Sequence, residues 1–149
     1  MKAPVAKDTL AALKAHRHEL VDAKITEHRG RIVKTTGDGI LVEFSSVVNA
    51  VRCARDIQYG MSQRNAGASE EKQIIFRIGL NVGDVIIDGD DIFGDGVNVA
   101  ARLEGIAEPG GICVSRQVFE QVDGKLELSF RRLGERSLKI LSSRSKCLL

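Results

Sequence analysis

The stretch Arg31–Phe44 places two apolar runs, Ile32-Val33 and Ile40-Leu41-Val42, on either side of a short polar turn that contains Asp38. Asp-Gly between such runs predicts a β-hairpin, because a tight hairpin turn needs positive φ angles that Gly and Asp tolerate. The hairpin would carry Asp38 at its tip and Lys34 on its incoming strand. A carboxylate on a rigid turn can hold a metal ion. Turn chemistry alone also accounts for an aspartate there.

The composition limits the class of protein. With 149 residues, 43% of them hydrophobic and 28% charged, residues 1–149 are expected to form one domain with a real hydrophobic core. A net charge of +2, 4% aromatic residues and no Trp argue against a nucleic-acid partner. No apolar run reaches membrane-spanning length. Three widely spaced cysteines form neither a disulfide framework nor a zinc pattern, so we expect a cytoplasmic location.

Hydrophobic periodicity and capping residues predict alternating helices and strands along the chain. The expected helices span residues 8–27, 47–63, 97–107 and 116–122, with Gly30 as the stop of the first and Ser45 or Ser46 and Ser115 as caps. The expected strands beyond the hairpin are residues 73–82 with a returning partner at 85–87, then 112–114 and 126–133, with loops at 64–72 and 88–96. This order predicts an α+β sandwich in which one mixed sheet is covered by helices.

The acidic loop 88–96 and the helix after it are the second place where chemistry is expected. The spacing of its aspartates lacks the Gly and terminal Glu of an EF-hand, so calcium has little support. Gly94 and Gly96 before a helix could let backbone amides approach a phosphate, although a plain helix-entry loop explains them too. Asn98 and Arg102 stand four residues apart and therefore share one face of the helix.

Three segments together resemble the catalytic domain of class III adenylate/guanylate cyclases, and their sequences are most similar to those of alphaproteobacterial members. These segments are Lys34-Thr-Thr-Gly-Asp-Gly, Arg77-Ile-Gly-Leu-Asn-Val-Gly, and Asp91-Ile-Phe-Gly-Asp-Gly-Val-Asn-Val-Ala-Ala-Arg. The likeness runs from the first helix to Lys139.

The resemblance implies a ferredoxin-like fold with a mostly antiparallel sheet, assembled as a homodimer with active sites at the interface. Members convert a nucleoside triphosphate to the 3′,5′-cyclic monophosphate and pyrophosphate with two Mg²⁺ or Mn²⁺ ions. Carried over by motif, the roles are metal ligand (Asp38), purine selection (Lys34, Asp91), triphosphate binding (Arg77, Lys139), and ribose orientation with transition-state stabilisation (Asn98, Arg102).

The predicted purine-selecting pair favours ATP. Adenine presents an acceptor at N1 and a donor at its 6-amino group, which complement a lysine and an aspartate. Guanine presents the reverse, and each buried mismatch costs about 1–3 kcal/mol. Asp90 competes with Asp91 for this role, and the Asp-Ile-Phe-Gly context favours Asp91.

Two departures from the family pattern temper the expectation of turnover. Family domains open with a strand that bears the first metal-binding aspartate, and no such strand is predicted before residue 8; residues 140–149 also diverge. The chain is therefore expected to resemble a domain trimmed at both ends, with its first strand missing and weak or no cyclase activity. The alternative is an inactive cyclase-like module that binds nucleotide or a partner chain.

Overall fold

The computed structural model describes residues 13–36, 39–69, 73–82, 86–88, 91–93, 95–126, 130–132 and 137–140. Its helical elements are a π-helical turn (Arg17–Val21), α1 (Asp22–Glu27), α2 (Val47–Ala66), α3 (Asp95–Ile106) and α4 (Arg116–Val122). Its strands are β1 (Gly30–Thr36), β2 (Gly39–Phe44), β3 (Ile78–Leu80), β4 (Ile86–Asp88), β5 (Asp91–Phe93), β6 (Ile112–Ser115), β7 (Phe130–Arg132) and β8 (Ser137–Ile140). The predicted α+β class is confirmed. None of the helices within these ranges is long and apolar enough to cross a membrane.

The predicted hairpin is present. β1 and β2 pair antiparallel from Gly30↔Phe44 to Thr36↔Gly39, with a bulge between Ile32 and Lys34. Only residues 37 and 38 separate the two strands, as a tight two-residue connection requires. Both of these residues, and therefore Asp38, lie outside the described part of the chain.

The first helix, which within the described residues runs from residue 13 through the π-helical turn and α1 to Glu27, buries Leu13, Val21 and Ile25, each no more than 5% exposed. Leu20 packs against the same cluster. The helix contains the π-helical turn, which the sequence pattern did not predict. One extra residue in a turn rotates the face that follows it, so Leu13 and Val21 reach one core although Arg17 interrupts the pattern between them.

The end of this helix differs from the prediction. The residue with positive φ is Arg29, at 63°, and Gly30 already belongs to β1. Gly30 is needed for space instead, because a Cβ there would lie 2.5 Å from the Phe44 ring and 3.0 Å from Ile25. The glycine thus allows the first helix to close onto the hairpin.

Helix α2 begins at the predicted cap. The Ser46 hydroxyl accepts a hydrogen bond from the Asn49 N–H at 3.2 Å. The buried face of α2 includes Val51, Ala54, Ile57 and Met61, as the periodicity predicted. The helix continues to Ala66, so residues 64–66 are not part of a loop as expected.

Residues 73–77 do not form the predicted strand. Their alternating pattern suits one, but side chains of α2 take part of the hydrogen bonding that a neighbouring strand would supply. Asn65 donates to the Ile74 carbonyl at 2.8 Å and accepts from the Ile74 N–H at 3.1 Å. Gln58 donates to the Phe76 carbonyl at 3.0 Å. Strand pairing therefore starts only at Ile78.

The predicted pairing of residues 73–82 with residues 85–87 is wrong. β4 instead pairs antiparallel with β5, from Ile86↔Phe93 to Asp88↔Asp91, so part of the expected acidic loop is a strand. β3 pairs in parallel with β6, more than thirty residues further along the chain. Residues 83–85, 89, 90 and 94 lie outside the described ranges.

Within the described residues, the strand pairings fall into three groups. The largest has the order β3–β6–β8–β7, in which β3 and β6 are parallel and the other neighbours antiparallel. Alternation along β6 divides the core: Ile112 and Val114 join the cluster with α2 and α4, whereas Cys113 packs with Leu103 of α3. The sheet therefore separates α3 from the other helices.

The predictions for the C-terminal part of the chain are confirmed in part. Ser115 caps α4 as predicted, accepting from the Val118 N–H at 3.4 Å. β7 lies within the predicted strand 126–133, but β8 was not predicted and stands between β6 and β7. Residues 1–12, where no first strand was expected, and residues 141–149, the divergent tail, lie outside the described part.

Candidate active site

Helix α3 lies directly on β3. A Cβ added to Gly79 would come within 2.4 Å of the Glu104 nitrogen and 2.5 Å of the Ala100 carbonyl oxygen. Backbone atoms of strand and helix are thus in contact, which only glycine allows at this position. The helix continues this packing through Leu103, 4% exposed, in the cluster with Cys113.

Asn98 and Arg102 are both exposed on α3. At 100° per residue they fall on the side of the helix opposite Ala100 and Leu103, which face the sheet. In the described part of the chain, neither side chain makes a hydrogen bond or ion pair with another residue. The predicted pair is therefore presented together and is available to a ligand.

Arg77 precedes β3 by one residue and is partly buried. The structure therefore places Arg77 next to the strand that packs against α3, the helix that carries Asn98 and Arg102.

The strands that carry the predicted purine-selecting pair lie against each other. Lys34 belongs to β1 and Asp91 to β5, and these two strands are in contact. The chain between them is more than fifty residues long, so only the tertiary fold brings them together. Placing Asp91 in a strand corrects its assignment to a loop. Asp90, the competing candidate, lies outside the described residues.

Lys139 is in β8, where it pairs with Cys113 of β6 on one side and Arg131 of β7 on the other. Its backbone is therefore fixed in the middle of the largest sheet. Its role as a phosphate ligand stays a prediction.

The metal assignment also stays a prediction. Asp38 lies outside the described residues. Within the described ranges, no three His, Cys, Asp or Glu side chains are grouped to hold an ion.

A cleft of about 370 Å³ lies between β2 and β3 and is floored by the first turns of α2 and α3. Consecutive residues of both strands line it, Leu41 to Phe44 on one side and Gly79 to Val82 on the other. Arg77, Asn98 and Arg102 are not among the described residues that line it, although Gly96, Val97 and Ala100 of the same helix are.

Sequence reasoning assigned no role to two residues that shape this region. Gly79 permits the close contact with α3, and the signal for it was a glycine inside an apolar strand segment. Asn81 donates from Nδ2 to the Gly96 carbonyl at 3.1 Å. An asparagine near a strand end gives no such signal, because its partner lies fifteen residues away.

Comparison with known proteins identifies the family of the chain. The sequence model of the family described as the adenylate and guanylate cyclase catalytic domain matches residues 2–147. The chain therefore belongs to the adenylate/guanylate cyclase catalytic domain family. The match extends beyond the motif-bearing stretch at both of its ends.

Individual relatives are similar in sequence and in fold. The chain is 43% identical over 133 residues to "Putative adenylate cyclase 3" of Rhizobium meliloti (strain 1021); this covers 89% of the chain but only 23% of that relative. An adenylate/guanylate cyclase/hydrolase from Silicibacter pomeroyi superposes with a TM-score of 0.83 at 44% identity, covering 89% of this chain and 83% of that one. The catalytic core of a rhodopsin-guanylyl cyclase with converted specificity, in complex with ATPαS, gives 0.76 at 25% identity, covering 93% and 86%.

Proposed function

We propose that this domain is of the adenylate cyclase type and takes ATP to 3′,5′-cyclic AMP and pyrophosphate. The observation that carries the proposal is the contact between β1 and β5, the strands of Lys34 and Asp91. A lysine donor and an aspartate acceptor complement N1 and the 6-amino group of adenine. Both would be mismatched against guanine, at about 1–3 kcal/mol for each buried group.

The exposed pair on α3 supplies the second half of the proposal. Arg102 carries a permanent positive charge that can stabilise charge developing at the α-phosphate, and the Asn98 amide can orient the ribose by hydrogen bonds. Both project away from the sheet of their own chain. This favours a homodimer in which α3 of one chain faces the purine-selecting strands of another.

A Mg²⁺ or Mn²⁺ ion, when bound, would neutralise triphosphate charge and activate the ribose 3′-hydroxyl. Asp38 is the ligand that the family motif assigns. The steps proposed for the residues above, which bind the base, orient the ribose and stabilise charge, do not depend on the geometry of that ion.

The purine preference is tested by calorimetric titration with non-cyclisable ATP and GTP analogues. We expect the ATP analogue to bind at least tenfold more tightly, since about 1.4 kcal/mol corresponds to that factor. Exchanging the charges with Lys34→Asp and Asp91→Lys should remove or reverse the preference. Lys125→Glu, at an exposed turn, is the control for a change of charge alone. Equal or GTP-favoured binding by the unaltered chain would refute the assignment.

Turnover and the dimer are tested together by mixing variants. Asn98→Ala and Lys34→Asp chains should each be inactive alone. A mixture should recover part of the unaltered chain's cyclic AMP production, because a mixed dimer contains one complete site. Nucleotide binding without any cyclic AMP from the unaltered chain, with either Mg²⁺ or Mn²⁺, would favour the inactive-module alternative.

A further inference from the structure

Helix α3 is attached to β3 along one stripe of small and apolar residues. Gly96, Ala100 and Leu103 recur at helical spacing, and Ala100 lies against Gly79 with no side chain between them. A glycine surface has nothing that interlocks with the helix. At Gly79 the contact therefore fixes how close the helix can come but only weakly restricts rotation or sliding of the first turns, because the interlocking side chain, Leu103 against Cys113, lies further along the helix.

A hydrogen bond from the Asn81 side chain restricts the rotation and sliding of α3. Its Nδ2 donates to the Gly96 carbonyl at 3.1 Å, in the first turn of α3. A helical carbonyl at this position also accepts from the N–H four residues later, and its second lone pair leaves room for the Asn81 amide. Among the described residues, this is the one side-chain hydrogen bond between the β3 segment and α3.

Small rotations of α3 would matter at the ligand. Side-chain atoms lie about 5–6 Å from a helix axis, so a rotation of about 10° moves them by about 1 Å. A misplacement of that size can cost about a hundredfold in rate. Asn98 lies only two residues beyond Gly96, and a shift of the first turn is transmitted to it directly.

We propose that Asn81 is a positioning residue that sets the rotation and axial position of α3, and through α3 the placement of Asn98 and Arg102. The inference rests on the proposed function for its effect on nucleotide. Its effect on the helix stands on the hydrogen bond alone.

The test compares three substitutions in the full chain. Asn81→Ala removes the donor, and Asn81→Asp keeps the shape but replaces the donor by an acceptor that faces the Gly96 carbonyl. Asn81→His restores a ring N–H at a similar reach. Amide hydrogen exchange in the first turns of α3 should become roughly 2- to 10-fold faster in the first two variants, the range that one net hydrogen bond implies. The histidine variant should recover part of the protection.

Asn65→Ala is the matched control. Asn65 also donates to a backbone carbonyl, that of Ile74 at 2.8 Å, but it joins α2 to the segment before β3, and among the described residues it has no hydrogen bond to α3. It should lower the unfolding midpoint and leave local exchange in α3 unchanged. Unchanged exchange in Asn81→Ala and Asn81→Asp, or equal effects of Asn65→Ala on α3, would overturn the proposal.

Nucleotide titration separates this inference from the proposed function. If the unaltered chain binds the ATP analogue, Asn81→Asp should weaken binding at least threefold, and Asn65→Ala should not. Normal affinity in Asn81→Asp would overturn the role in placing Asn98 and Arg102. If the unaltered chain binds no nucleotide, the proposed function and the role toward nucleotide both fail. Hydrogen exchange then decides whether Asn81 holds the helix.

Discussion

Gly79→Ala is expected to destabilise the domain strongly, although it adds a single methyl group. The added Cβ would lie 2.4 Å from the Glu104 nitrogen and 2.5 Å from the Ala100 oxygen, both backbone atoms. Ordinary contact begins near 3.4 Å, so strand and helix must separate by about 1 Å. A gap of that size forfeits a quarter to a half of the dispersion energy of the atoms that line it.

Overpacking of this kind costs about 1–3 kcal/mol, occasionally more, and the rigid backbone on both sides places Gly79→Ala toward the upper end. For a domain of this length, each kcal/mol lowers the melting temperature by about 2–4 °C. Urea denaturation followed by far-UV circular dichroism measures the free energy of unfolding. Differential scanning calorimetry measures the melting temperature.

Gly105→Ala is the matched control on the same helix. Gly105 is exposed, and a Cβ there meets nothing within 4 Å. The same chemical change should therefore stabilise the domain by up to about 1 kcal/mol, because alanine favours a helix over glycine. A Gly79→Ala variant as stable as the unaltered chain, or stabilised like Gly105→Ala, would refute the proposed strand–helix contact.

Three further outcomes are expected. Arg64 donates to Nδ1 of His16 at 2.9 Å, and burial followed by the Arg64 charge lowers the pKa of His16 below 6.5. The stability that this histidine contributes is therefore complete above pH 6.5 and is lost as pH falls through the folded-state pKa. Between about pH 7.5 and about pH 5, the unfolding free energy of His16→Gln should fall less than that of the unaltered chain. Identical pH profiles of the two proteins would contradict this. Burial raises the pKa of Cys53 to about 12 and of Cys113 to about 11, so iodoacetamide should label neither thiol in the native protein and both in urea, as read by mass spectrometry. Finally, β2 and β3 each pair on one side only within the described strands. Unpaired strand edges recruit further strands, so sedimentation should detect self-association of the chain. A compact monomer at high concentration that unfolds cooperatively would count against it.

Helix caps, the hairpin and the buried face of α2 could be predicted from the sequence. The serines that cap α2 and α4, the hairpin β1–β2 and the buried stripe of α2 all depend on residues within a few positions of one another. Such signals act through single hydrogen bonds or one helical face, and they survive without knowledge of the rest of the fold.

Pairing between distant strands was not readable in the same way. The alternation of residues 73–82 indicates a strand but contains no information about its partner, and the assumed partner was the adjacent run instead of β6. The side chains of Gln58 and Asn65, which lie in α2, form hydrogen bonds with backbone carbonyls of the same segment, and the sequence pattern gives no sign of these bonds. The position of Gly30 shows the same limit, because its reason is the Phe44 ring rather than its own φ.

The candidate site follows this division. That Asn98 and Arg102 share a face could be derived from helical spacing, and they are exposed together. The approach of the strands of Lys34 and Asp91 required the tertiary structure, as did the anchoring of α3 by Asn81.

The position of β8 has a consequence for biosynthesis. Ser137–Ile140 lies between β6 and β7, so the largest sheet has a gap until these residues are available. During translation, β3 and β6 can pair while β8 is still inside the ribosome, but β7 has no neighbour to join. Folding of the sheet is therefore expected to be completed only after nearly all of the described chain has emerged. Until then, the edge of β6 that will pair with β8 has unpaired backbone groups and can pair with another chain, which favours aggregation.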